Sequence, residues 1–70
     1  MNPQTANEIQ TVDVLSQGEQ IAFVMTKTRA FVVGSIPAAG TDVHDAGILK
    51  EVNNIDEARK WWRRQAGVTP

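Results

Sequence analysis

This chain of 70 residues has no cysteine, which excludes disulfides and thiolate metal sites. The absence also fits a cytosolic protein better than a secreted miniprotein, which would use disulfides as staples. Histidine occurs once, as His44, so a metal site built from several imidazoles is excluded. Aromatic residues are few, two Phe and two Trp with no Tyr, so the placement of each one matters. No apolar run approaches the ~18 residues of a membrane helix. The opening MNPQTANEIQ lacks the cation-then-apolar layout of a signal peptide. Neither sign of charge dominates: seven Lys+Arg against eight Asp+Glu leave a net charge of −1, with no general attraction to nucleic acid or to an anionic membrane. The expected setting is the cytoplasm, or a particle assembled there, with no membrane partner.

A chain this short buries only about 60–65% of its unfolded surface, so its core is marginal. Small scaffolds compensate with disulfides, a metal, oligomerisation or unusually good packing. With the first excluded and no cofactor or metal expected, oligomerisation or a protein partner is the remaining staple.

The pattern predicts a flexible arm over residues 1–7, one small α+β domain over 8–67 and a short tail over 68–70. Within EIQTVDVL the β-branched residues and the Val12/Val14 alternation favour a strand. Thr5 with Glu8 resembles a capping box, so a helix over residues 5–17 stays the alternative. SQGEQ reads as a turn, QIAFVMT and AFVVGSI as strands, and the polar TKTR as their hairpin connection. That turn carries no Asn-Gly or Asp-Gly signal. A three-residue loop would put Ile21, Phe23, Met25, Phe31 and Val33 on one face and Ala22, Val24, Ala30 and Val32 on the other. Pro37 ends the second of these strands, residues 37–47 form a long loop, and ILKEV is a short further strand. The fold class is α+β: a small antiparallel sheet of three to four strands with one C-terminal helix packed on one face, in the order β-β-β-(β)-α.

The helix is the clearest element. Asn54 can cap it, with Glu57 reaching back from the third position. Asp56 and Glu57 suit its positive end, Arg63 and Arg64 its negative end, and Gly67 the position just past its end. Ile55, Ala58, Trp62 and Ala66 fall on one stripe, which points Trp62 into the core. Full burial would make Trp62→Ala cost about 3–5 kcal/mol. Trp61 lies about 100° away at the stripe's edge, near Arg64, in the half-exposed pairing common at protein interfaces. The bland alternative is that Trp61 covers the rim of the sheet beneath an Arg stem.

One helix covers one face of a sheet. The other face would carry Ala22, Val24, Ala30 and Val32, and an apolar open face marks an interaction surface. The expected protein interface is therefore Ala22, Val24, Ala30, Val32, Trp61 and Arg64, used by a second copy in a homo-oligomer or by another protein. Arg59, Lys60, Arg63 and Arg64 hold four of the seven cations and offer an alternative, nucleic-acid-binding surface, although basic residues in a last helical turn also follow from the dipole.

Catalytic patterns are thin. DVHD, residues 42–45, brings one imidazole near two carboxylates but has no second histidine or cysteine to complete a metal site. Ser16 and Ser35 lie outside any nucleophile-elbow context, and no glycine arrangement cradles phosphate. No enzyme activity is expected.

The stretch TRAFVVGSIPAAGT…ILKEVNNIDEARKWW resembles a segment of phage tail sheath proteins. There a strand ending in Val/Ile-Gly leads to an Ala/Gly-rich loop, a second short strand, and a helix opening on Asp/Glu-Ala. The resemblance covers about half the chain, rests on common residue types, and departs where WWRR replaces the usual closing Phe-Gly. It transfers no site residues. The layout is also similar to that of tiny phage- and plasmid-encoded proteins, including inhibitors of bacterial defence systems. The expected function is a non-enzymatic protein–protein interaction module of a phage or mobile element, a virion component or an inhibitor of a host machine.

Overall fold

A computed structural model of the protein describes residues 6–67. Most of the expected arm, residues 1–5, and the tail, residues 68–70, lie outside the described residues; Ala6 and Asn7 form a short 3-10 turn. Four strands follow: β1 (Thr11–Ser16), β2 (Ile21–Met25), β3 (Ala30–Val33) and β4 (Ile48–Val52). The helix α1 (Ile55–Gly67) closes the described chain. The sheet is an antiparallel meander in the order β1-β2-β3-β4, so the expected α+β fold is found, with β1 as a strand and not a helix.

Local chemistry accounts for each connection. The β1–β2 turn is closed by the Gln20 N–H donating to Gln17 O at 3.2 Å, and its left-handed position falls on Gln20 (φ 59°), not on Gly18. Between β2 and β3, Thr26 N–H donates to Arg29 O at 2.8 Å, while Arg29 N–H donates to Thr26 Oγ1 at 3.1 Å. The pairing therefore extends to Thr26–Arg29, and only Lys27 and Thr28 lie between them. This overturns the three-residue loop expected above. An even count shifts β3 by one residue, and side chains alternate with period two, so every β3 residue changes face. Phe23 stands opposite Val32 and Val24 opposite Phe31.

The two faces of the sheet are thus Ile21, Phe23, Ala30, Val32 and Val52 on one side, and Ala22, Val24, Phe31 and Val33 on the other. The helix covers the first through Ala58, with Ile55, Trp61, Trp62 and Leu15 packed around it. The second is covered by Ile9, Ile36, Val43 and Ala46, which come from irregular chain. The expected open face does not exist: Ala22, Val24, Ala30 and Val32 are 0%, 0%, 4% and 0% exposed. The long loop after Pro37, together with the segment before β1, serves as a lid.

An irregular lid can be buried only if its backbone groups find partners. Ile9 N–H donates to Thr41 O and Gly40 N–H to Ile9 O, both at 2.8 Å, while Gln10 N–H reaches Met25 O at 2.8 Å. Ile9 is thereby pinned between the loop and the sheet. Gly40 sits at φ +96°, a conformation that disfavours side chains. At the far end of the loop, Ser35 Oγ donates to Ala46 O at 2.7 Å and Gly34 N–H to Gly47 O at 2.8 Å.

Candidate interaction site

The site starts from the way α1 begins. Asn54 Oδ1 accepts from Glu57 N–H at 2.8 Å, the cap expected from the sequence, while Glu57 Oε1 reaches back to accept from Asn53 N–H at 3.0 Å, one residue before the cap and not at Asn54 itself. With its start fixed there, the helix meets the sheet at Ala58, which is fully buried. Rotation of about 100° per residue places Trp61 about 60° to one side of Ala58 and Trp62 about 40° to the other. The two rings straddle the contact line, and both are half-buried. The expectation of a fully buried Trp62 is corrected accordingly, because the small Ala58 occupies the deepest position. Gly67 belongs to the last helical turn and not to a left-handed cap.

Each tryptophan walls a different groove. Trp62 faces the outer strand, where Val14, Leu15, Arg59, Trp62, Arg63 and Ala66 line an open groove of ≈ 460 Å³. Trp61 faces β4, where Lys50, Glu57, Lys60, Trp61 and Arg64 line a smaller one of ≈ 240 Å³. The basic cluster is therefore split into Arg59/Arg63 on one flank and Lys60/Arg64 on the other. All four cations are exposed. The Lys/Arg ion pair formed among the described residues is Arg29–Glu51 at 3.0 Å, so no described carboxylate pairs with the helix cations. Arg29 also stacks over Phe31, 5.7 Å from the ring centre.

Of the expected interface residues, Trp61 and Arg64 come together beside Lys50, whereas Ala22, Val24, Ala30 and Val32 lie inside the molecule. Val14, 45% exposed, Leu15 and Ala66 join a groove that the sequence reading did not contain. The signal for it was the break in the Val12/Val14 alternation at Leu15. There the register of β1 shifts between Val14 and Ser16, and Leu15 packs on the helix side.

In DVHD, Asp42 Oδ1 accepts from His44 N–H at 2.8 Å and lies 3.0 Å from His44 Nδ1, capping the short 3-10 turn Val43–Asp45. The backbone bond from His44, foremost, and its ring hold the Asp42 carboxyl below its ordinary value of 3.8. No group of three candidate metal ligands gathers among the described residues. Ser35 is engaged in fastening the lid. No described helix is long and apolar enough to cross a membrane. Compared with known protein families, with curated proteins and with solved structures, the chain matches none.

Proposed function

We propose that this protein is a non-enzymatic protein–protein interaction module that docks through the flanks of α1 and the adjoining edge of the sheet. The observation that carries this reading is the pair of half-buried tryptophans, each walling a groove rimmed by cations that form no ion pair with a described carboxylate; Glu57 lines the Trp61 groove, and no carboxylate lines the Trp62 groove. Half-buried Trp beside Arg is the side-chain chemistry enriched where binding energy concentrates. With the sheet faces buried, these flanks with Val14 and the β1 edge are, among the described residues, surfaces open to a partner or a second copy, as are exposed Met25, Ile48 and Leu49. The setting we infer is the cytoplasm or a particle assembled there, as a small phage or mobile-element component docking on a larger assembly or on a host machine. The resemblance of the strand–loop–strand–helix stretch to a sheath segment supports that setting. A photo-cross-linking residue at position 63 or 64 in cells expressing the protein is expected to give protein adducts, with none from position 27 on the distant hairpin. Equal adducts at all three positions would remove the reading.

The second reading, nucleic-acid binding through Arg59, Lys60, Arg63 and Arg64, is favoured by one observation: Trp61 lies among Lys50, Lys60 and Arg64, a ring beside cations as in single-strand stacking sites. Titration with mixed-sequence single-stranded and duplex oligonucleotides separates the two. Phosphate contacts make affinity fall steeply between about 50 and 200 mM salt. No saturable binding at the lower salt is expected; steeply salt-dependent binding abolished by reversing these four charges would establish the second reading instead.

A further inference from the structure

We infer that the edge of β1, which no described strand pairs, and the groove beside it receive an extended, acidic segment of a partner protein, laid along Thr11–Val14. This rests on the protein-interaction reading and names the partner's chemistry.

The backbone comes first. β1 ends the sheet, so alternate residues turn their N–H and C=O groups away from β2. Thr11–Val14 pair in unbroken register with Met25–Ala22, and the irregularity comes only beyond Val14. That run has the regular spacing an added strand requires. The opposite edge is less suited. The register of β4 shifts opposite Val32/Val33, and its middle carries Lys50 and Glu51, the latter bound to Arg29 at 3.0 Å.

Side chains supply the second element. Val14 is 45% exposed on the edge, and Leu15, Trp62 and Ala66 give the groove beside it apolar walls. An extended segment sends alternate residues to one side, so every second residue can enter such a slot.

Charge identifies the occupant. Arg59 and Arg63 rim the groove, and no carboxylate is among its lining residues; Asp13, exposed on β1 opposite Phe23, lies on the same side of the sheet but outside the groove, so the segment's anions fall toward the arginines and not directly opposite Asp13. The two arginines are spaced i,i+4, where like charges repel. Arg59 lies mid-helix and Arg63 precedes the last turn, whose basic residue is Arg64, so the dipole offers both little. Anions along an incoming strand remove that repulsion and neutralise the rim. A second copy fits less well, because its β1 brings one carboxylate, Asp13, and its helix brings the same two arginines.

The test is a displayed library of random ten-residue peptides selected on the full-length immobilised protein. Enriched peptides are expected to alternate acidic and apolar residues and, on titration into isotopically labelled protein, to shift the amides of residues 11–14 and the Trp62 indole. Arg59→Glu/Arg63→Glu should weaken binding by about tenfold or more, whereas Lys60→Glu/Arg64→Glu on the other flank changes it by less than about twofold. A basic or neutral consensus, or equal loss in both double variants, overturns the inference. Peptides that map to Lys50 and Trp61 overturn it while leaving the protein-interaction reading intact. Mass that doubles with concentration while the β1 amides become protected makes a second copy the occupant. No enriched peptide, together with no position-specific adduct at 63 or 64, removes both.

Discussion

The two faces of this sheet are sealed by different means, and the more irregular cover seals better. On one side a capped amphipathic helix contributes one fully buried residue, Ala58, and leaves Leu15, Ile55, Trp61 and Trp62 half-buried. On the other, chain without strand or helix over most of its length brings Ile9 and Val43 to 1% exposure over Ala22, Val24 and Val33 at 0%. Burial depends on apolar area removed from water and on satisfied backbone groups, and regular structure is only one route to both. Here two hydrogen bonds at Ile9 supply what a ladder would. The incomplete seal under the helix is also where the four helix cations sit, none of them in an ion pair with a described carboxylate.

The strongest way to break that comparison is Ile9→Ala. If the lid carries its share of the core, the loss should be about 2–4 kcal/mol, since the site is fully buried. A chemical-denaturation midpoint within error of the parent would show that the lid is decoration. Trp62→Ala sharpens the contrast: half-buried, it should cost about 1.5–3 kcal/mol, less than a fully buried tryptophan. A loss well above that of Ile9→Ala in the same titration would reverse the ranking of the two faces. Gly40→Ala probes the lid's backbone. The nearest atom to an added Cβ is Glu8 Oε2 at 3.6 Å, so space is adequate, and the cost of about 1–2 kcal/mol comes from φ +96°. An unchanged thermal midpoint would mean that the loop relaxes freely around this residue.

The smallest effect concerns Asp42, which orders the lid's 3-10 turn. Its folded-state value is lowered, so its contribution to stability is present above the ordinary value of 3.8 and lost as pH falls through the lowered one. Below that range Asp42→Asn and the parent should converge in stability, while at neutral pH the parent is the more stable. Stability curves that run parallel over the acid range would dissociate the carboxylate from the lid.

Several features were readable from short stretches. The Asn54/Glu57 cap, the acid-to-base gradient along the helix and the β-branched runs each act over a few residues, and each is present in the fold. The Trp61/Arg64 proximity was readable too, since it follows from helical spacing. Trp62's incomplete burial was not, because the sequence stripe does not reveal which of its members lies deepest. Val14 and Leu15 were missed as lining the same groove as Trp62 because that juxtaposition spans about fifty residues and depends on a strand irregularity. The apolar face that residues 22, 24, 30 and 32 were expected to share was misdrawn through a single parity error. One residue fewer in the TKTR hairpin loop moved Ala30 and Val32 beneath the helix.

By itself the sequence determined the kind of every element after the first, which it left between strand and helix, because capping, turn formation and side-chain alternation are decided by neighbours along the chain. Only the tertiary structure decided which apolar residues meet and what covers each face. Hydrophobic attraction has no direction, so the Ile9 segment and the post-Pro37 loop could be recognised as a lid only once the sheet existed for them to close upon.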